Sequence, residues 1–541
     1  MTRLMRSPVR AAVILIAVLS AMAAALAVRA AQRSSATFDE IVLVGGGVRG
    51  LMQGRWDMVI DQPPLPMYAY GLAARGAVTS LPPEDEDGWS FDSRWNYARS
   101  LFFQVGNDTA ALLGRARWVA ALTGAALVAA AGGFAWWAAG PVAGVLAAAM
   151  TALLPDVLAH GGVSYNDLPL AVMFLLSVWA LDAALRRPSP TRAAVAGALV
   201  AGALCVKLSA IALAPIAVGL LALEGWHRGR DVPWWRSVAL TGAVGLLAGY
   251  VVMVVLYRGD ATLTLFRFNF YRTVFHVSEG HIAPAYLMGR TSATGFWYFF
   301  PVAALFKTPV AFQVALAGAG AVALRGLWTR GAGWRAAIPG MVAWKGRAAL
   351  LSAIVFAAFL ANSSLNAGFR YALPVLPLLA VTGAALWARH WQNPRARAGV
   401  LALLVLQAVS TLSAYPHFLA YTSLWAGGRD AGHRVLADLD WGQGLLELRD
   451  FMDEEGVDRI ALSYFGSAPP EAYGIDYEAL PSFFRLDGGS AAQPGARPRF
   501  TVISSTNLQG LYLQGRDPFA AYRLREPYRI LGHVLFVFEE R

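Results

Sequence analysis

RWVAALTGAALVAAAGGFAWW, residues 117–137, holds a single charged residue, Arg117, at its first position. A helix needs about 20 predominantly apolar residues to cross the hydrocarbon core of a bilayer, so this stretch is read as a span. It has company. Comparable runs lie near 11–28, 141–158, 168–185, 192–206, 209–223, 237–257, 297–323, 349–363, 371–388 and 398–415. Several are shorter than a full crossing, and the two runs separated by Lys207 read either as two helices or as one broken helix. Composition agrees: 57% of the 541 residues are hydrophobic and 15% are charged. A water-soluble core stops growing at about 250 to 300 residues, so this much apolar surface needs lipid or neighbouring spans to cover it. The sequence therefore predicts a polytopic α-helical membrane protein with about eleven transmembrane helices.

The chain carries 45 basic and 34 acidic residues, a balance that would suit nucleic acid if the charges were clustered on a soluble face. They sit at the rims of the apolar runs instead, which argues for the lipid bilayer as partner and against nucleic acid. With the N-terminus in the cytoplasm, Arg3, Arg6 and Arg10 fall inside. So do Arg186, Arg187 and Arg192; Arg228, Arg230 and Arg236; Arg325, Arg330, Arg335, Lys345 and Arg347; and Arg389, Arg395 and Arg397. This obeys the positive-inside bias and leaves 29–116, 159–167, 258–296 and 416–541 outside, with the acids Glu84 to Asp87 among them. The expected location is a bacterial inner membrane. The first run could also be a cleaved signal peptide, which would export the following loop all the same.

After Tyr415 the long apolar runs stop. Alternating stretches at Arg459 to Phe465 and Phe500 to Ser504, with a helical pattern near 443–455, predict a small α/β domain outside the membrane. The division is thus a membrane part, 1–415, with 29–116 as its first outer loop, and a periplasmic domain, 416–541. The lone cysteine, Cys205, lies in an apolar stretch, so no intrachain disulfide can brace the exported parts.

Ionisable groups near the lipid boundary are costly without a partner or a task. Asp39 and Glu40 follow the first run; Asp167 closes the loop from Ala159 and His160 and precedes Pro169. Asp167 alone would serve as a helix N-cap, and Asp39 with Glu40 as solvated rim charges. The topology brings both loops to one side, where carboxylates can supply a general base and a contact to substrate or metal. Lys207, Arg267, Arg272, Lys307 and Arg370 depart from the charge bias on that side. Each alone fits a snorkelling rim cation; gathered around a cavity they would bind a phosphate.

Taken in order, Phe38-Asp39-Glu40, Asp61-Gln62-Pro63-Pro64-Leu65, Ala159-His160 with Asp167-Leu168-Pro169, Lys207-Leu208-Ser209-Ala210, Tyr286 to Gly289, Gly295 to Pro301, Lys307-Thr308-Pro309, Asn366 to Tyr371, Pro416 to Tyr421 and Asp438 to Gln443 form a pattern over essentially the whole chain. It resembles the C-type (GT-C) membrane glycosyltransferases, specifically glycosyltransferase family 39, with its bacterial protein O-mannosyltransferases and related aminoarabinose transferases. The resemblance implies a GT-C-like fold and inverting transfer of a sugar from a polyprenyl-phosphate-linked donor to a periplasmic acceptor: protein, lipid or glycan. It implies Asp39 as the catalytic base with Glu40 beside it, and Asp167 shaping the acceptor or metal side. Lys207, Arg370 and Arg272 are the donor-phosphate candidates, with His160 and Tyr371 as further candidates. No cofactor is obligatory, and a divalent metal is left open. Relatives often carry Glu where this chain has Arg290. The Asp438-Leu439-Asp440 pattern is read as a landmark joining the two parts, because a monophosphate donor offers no diphosphate to chelate. The rival reading is a transporter or flippase of lipid-linked sugars; transporters more often show two related halves, and this sequence has none.

Overall fold

The computed structural model describes residues 8–84, 89–279, 284–328, 340, 343–486 and 498–540. Arg3, Arg6, Arg330, Arg335 and the acids at 85–87 lie outside the described residues.

Every apolar run becomes helical. Among the described residues six helices are long and apolar enough to cross a membrane: Pro8–Ala31, Thr109–Ala139, Asp167–Arg186, Leu208–Arg228, Val232–Leu256 and Pro394–Leu412. Two bent pairs raise that to eight, while Pro190–Leu204, Arg347–Ala361 and Val375–Ala388 are shorter. Lys207 separates two helices: its backbone is extended, and the freed carbonyl of Cys205 accepts from the Leu65 amide at 3.0 Å.

The bends have causes. Proline lacks a donor and drives the preceding residue out of the helical region. Leu154 before Pro155 and Thr308 before Pro309 are extended, and the pairs bend by 67° and 117° there. Polar backbone at membrane depth must find partners inside the protein. Gln407 Nε2 donates to the carbonyls of Met150 and Leu153, each at 3.0 Å, and Thr411 Oγ1 donates to Leu153 at 2.7 Å.

The segment 29–116, expected as a loop, folds onto the bundle through helices Glu40–Gln53 and Leu65–Ala74. They pack backbone to backbone because Gly47 and Gly71 meet: a Cβ at Gly47 would lie 2.2 Å from the Met67 carbonyl oxygen. Likewise 258–296 contains helix Thr264–Glu279 and the hairpin Ala285–Leu287 with Arg290–Ser292.

At one end of the bundle Asp182, Glu224 and Arg347 form a buried ionic knot. Arg347 Nη2 lies 3.1 Å from Asp182 and 2.5 Å from Glu224, while Arg186 and Arg228 bind the same two carboxylates from the outside. Asp182 and Asp167 lie on one helix, about 22 Å apart at 1.5 Å per residue. The knot therefore ties three helices at the end opposite Asp167.

The C-terminal domain is built on a five-stranded sheet ordered Asp476–Ala479, Arg459–Ser463, Phe500–Ser504, Leu535–Glu539, Arg529–Leu531. The first three strands run parallel and the last two pair antiparallel. Helix Leu445–Glu455 buries Leu448, Phe451 and Met452. The domain is stitched to the start of the membrane part: the Phe38 amide donates to the Trp441 carbonyl at 2.8 Å, the Ser35 amide to Gln443 at 3.1 Å, and the Ala36 amide to the Tyr473 hydroxyl at 2.9 Å. Residues 400 positions apart thus set the placement of Asp39.

Candidate active site

A cavity of about 1440 Å³ opens between these two parts. Asp39, Lys207, Arg370 and Tyr371 line it. Arg370 Nη1 lies 3.3 Å from Asp39 Oδ2, and Arg370 Nε lies 3.8 Å from Asp167 Oδ2. Lys207 Nζ donates to the other oxygen of Asp167 and sits over the Tyr371 ring, 4.3 Å from its centre.

The fold directs each group. Gly368 adopts φ +152°, a backbone few other residues accept, and the following Phe369 amide donates to Asp438 at 2.5 Å. Arg370 then lays its guanidinium 4.1 Å from the Trp441 ring centre. Its conjugate neutral form is suppressed: burial works against the charge, but Tyr371, Asp39 and Asp167 hold the guanidinium well above its ordinary value. Asp167 is not a cap. Its helix begins at Asp167, the preceding Asn166 makes no capping bond, and the carboxylate turns to Lys207. Asn166 instead donates to Gln62 at 2.7 Å, and the Tyr165 carbonyl accepts from Tyr70 at 2.8 Å, which fixes this loop against the first outer segment.

Glu40 is turned away. It is fully buried and bidentate with Arg117, at 2.9 and 2.8 Å, and it accepts from the Ser164 and Thr37 amides at 3.0 and 3.2 Å. Burial alone would raise its carboxyl, but Arg117 and these bonds hold it below its ordinary value. Arg117 also donates to the carbonyls of Ala31, Ser34 and Ser35. Of the adjacent pair, Asp39 faces the cavity and Glu40 fastens its frame.

His160 does not line the cavity; it is buried behind Trp441, ring centres 5.5 Å apart. Lys307 also lies off it, buried against Asp156 at 3.5 Å and the Leu419 carbonyl at 2.9 Å. Arg272 lines another part of the wall, over the Phe91 ring at 5.3 Å and on the side of Asp61. Arg267 is exposed.

Three lining acids go beyond the expected set. Burial raises the Asp61 carboxyl, with Arg94 and Arg272 opposing, and its Oδ1 has no hydrogen-bond partner among the described residues. Asp438 holds the Phe369 amide, so the segment read as a mere joint enters the site. Asp440 is pushed up to about 7 by burial, against the Gly442 amide at 3.0 Å and the Ser504 hydroxyl. The signal for these was the acid pattern itself, at Asp61-Gln62-Pro63-Pro64 and Asp438-Leu439-Asp440.

For a divalent metal the fit is poor. The Arg370 guanidinium occupies the space between Asp39 and Asp167, and among the described residues no group of three or more His, Cys, Asp or Glu side chains is arranged to hold one. What the arrangement offers is a partly exposed carboxylate paired with Arg370, with Lys207 held by Asp167, in a cavity that apolar residues also line: Ile211 and Pro215 from one helix region, Val355, Ala358 and Phe359 from another.

No protein-family model matches the chain, and no curated protein matches it in sequence. Among solved structures it is similar to ArnT from Cupriavidus metallidurans bound to undecaprenyl phosphate, at 15% identity and a TM-score of 0.49 over 84% of this chain and 74% of that one. ArnT from the same organism in the apo state gives 14% and 0.49, over 97% and 98%. Oligosaccharyltransferase AglB from Archaeoglobus fulgidus, in complex with an inhibitory peptide and a dolichol-phosphate, gives 12% and 0.44, over 93% and 72%.

Proposed function

We propose that this protein is an inverting glycosyltransferase that moves a sugar from a polyprenyl-phosphate-linked donor to an acceptor hydroxyl at the outer face of a bacterial inner membrane. The observation that carries the reading is the cavity's division of labour. Cations and carboxylates converge at its polar end, and its apolar wall is made by helix segments of the membrane part. A polyprenyl-phosphate sugar has the same order: an apolar chain, an anion, then a polyol.

In this reading the lipid chain lies along Ile211, Pro215, Val355 and Phe359, and the phosphate meets Lys207 and Arg370. Arg370 offers a planar set of donors suited to phosphate oxygens. Asp39 takes the proton of the acceptor hydroxyl as its oxygen attacks the anomeric carbon from the face opposite the phosphate. The bond from anomeric carbon to phosphate oxygen breaks, and the two cations stabilise the departing charge. Asp167 holds Lys207 and Arg370 in register, Glu40 fixes the turn beneath Asp39, and no step passes through a metal.

The orientation that serves this chemistry has the N-terminus in the cytoplasm and the C-terminal domain in the periplasm. The test is mass spectrometry of envelope lipids and glycans from cells with and without the protein. It is paired with incubation of the purified chain and undecaprenyl-phosphate sugars. A sugar addition lost on deletion and regained on complementation is expected; identical envelopes, together with no turnover of any such donor, would overturn the assignment.

A further inference from the structure

The C-terminal domain sends a side chain into the cavity from a strained backbone. Tyr512 stands at φ +61° and Gln514 at φ +52°, in the left-handed region that side chains other than glycine seldom occupy. Such residues persist where surrounding structure over-determines them, and they gather at ligand clamps. Here the ring is held 5.2 Å from Phe465 and 5.6 Å from Phe483, nearly perpendicular to the latter at 87°. Phe38, the neighbour of Asp39, stacks on Phe465 at 5.1 Å with 17° between the planes. All four rings line the cavity.

Contacts link this wall to the charged groups. Lys207 touches Asp167, Arg370 bridges Asp167 to Asp39, and Asp39 is followed by the Phe38 cluster. The aromatic cluster therefore begins beside Asp39, and Tyr512 also lies within range of the Arg370 and Asp438 charges. The aromatic end has a polar margin, because Arg94 and Asp438 line the same cavity.

We infer that Tyr512, with Phe465 and Phe483, forms a subsite for a pyranose ring, and that Tyr512 is the residue through which the C-terminal domain sets sugar selectivity. The inference rests on the transferase reading and deepens it. A pyranose presents C–H bonds on one face and hydroxyls around its edge, which matches aromatic faces with a charged rim. A lipid chain would gain nothing from that rim. The ring belongs either to the donor sugar or to a glycan acceptor, and both offer this chemistry.

The experiment uses the full chain in nanodiscs, with a panel of methyl pyranosides and with undecaprenyl phosphate as separate probes. Tyr512→Gly removes the ring and relaxes the backbone, and its binding is compared with the wild type at a temperature below both melting midpoints. It should weaken binding of the preferred pyranoside by about tenfold or more. Undecaprenyl phosphate carries no sugar, so its binding should fall by clearly less than that of the pyranoside, and the ratio of the two losses reads the contribution of the ring. Tyr512→Phe, which keeps the ring stack, should retain pyranoside binding, and Lys207→Ala should show the reverse selectivity.

Where transfer is measurable, a raised acceptor KM in Tyr512→Gly assigns the ring to the acceptor, and a raised donor KM assigns it to the donor. Wild-type protein that binds no pyranoside, unchanged pyranoside affinity in Tyr512→Gly, or an equal loss of undecaprenyl phosphate overturns the subsite. Tyr512-dependent pyranoside binding without any transfer would leave the subsite standing and remove the transferase reading instead.

Discussion

Arg370 reaches Asp39 at 3.3 Å across 331 positions of sequence, so the cation that the proposed mechanism gives to the phosphate is also the partner of the carboxylate that it makes the base. The same guanidinium lies 3.8 Å from Asp167, too far for a hydrogen bond, and both Arg370 Nε and Asp167 Oδ2 are buried without one among the described residues. Buried polar atoms left in that state are costly. An arriving phosphate would satisfy Arg370 Nε and draw the guanidinium off Asp39, leaving that carboxylate free to act as a base. In the proposed mechanism, binding of the donor and activation of the base are then one event.

Asp39→Asn keeps size and shape but removes the base. Its side chain is a quarter exposed, so the fold should tolerate the change. Loss of a positioned general base costs about 10²- to 10⁴-fold in rate. Purified Asp39→Asn should insert and melt like the wild type while transfer from polyprenyl-phosphate sugar falls by that factor. Full activity would remove Asp39 from the mechanism.

Glu40→Gln should behave in the opposite way. It leaves the Arg117 charge buried without its counter-ion, and breaking a buried pair from one side costs about 3 to 5 kcal/mol. The effect belongs to folding: a lowered thermal midpoint in detergent, with activity lost only as structure is lost. A normal melting curve with specific loss of turnover would instead make Glu40 a participant in the chemistry.

These adjacent residues show how far the sequence can be read. The apolar runs and the strands at Arg459 and Phe500 follow from periodicity, and the charges that break the rim pattern at Lys207 and Arg370 do reach the site. Which of Asp39 and Glu40 faces the cavity depends on Arg117, a cation inside an apolar run 77 residues away. Composition cannot express that choice. Asp438 and Asp440 were visible as a pattern, and the bond of Asp440 to the Gly442 amide is local, but the place of Asp438 beside Phe369 arises only when the C-terminal domain docks on the membrane part. Lys307 and His160 show the reverse case. Their side of the membrane was consistent with a site, yet each is packed behind it.

Orientation can be read with cysteines because the native one, Cys205, is buried. In a Cys205→Ser background, Leu524→Cys on the C-terminal domain and Arg230→Cys between two helices both occupy exposed positions. A membrane-impermeant maleimide should label Leu524→Cys in cells with a permeabilised outer membrane. It should label Arg230→Cys only after the inner membrane is opened. Labelling in the reverse order would invert the topology and place the cavity on the cytoplasmic side.

Asp440 supplies a pH dependence whose sign is fixed by its burial. Its carboxyl is raised from 3.8 to about 7, so over that interval the folded protein keeps a proton that the unfolded chain has released. Stability from this group is complete below the unfolded value and declines as pH rises toward 7; above that the folded carboxyl must ionise too, and the loss stays constant. The whole effect is on the order of a few kcal/mol. Asp440→Asn mimics the protonated form and can still accept from the Gly442 amide, so it should flatten the dependence. Thermal midpoints followed from about pH 4 to pH 8 should fall in the wild type relative to Asp440→Asn, with the two curves converging at the acid end. Parallel curves over the whole range would mean that Asp440 ionises in the folded protein as readily as in the unfolded one, and that the acid is solvated from the cavity it lines.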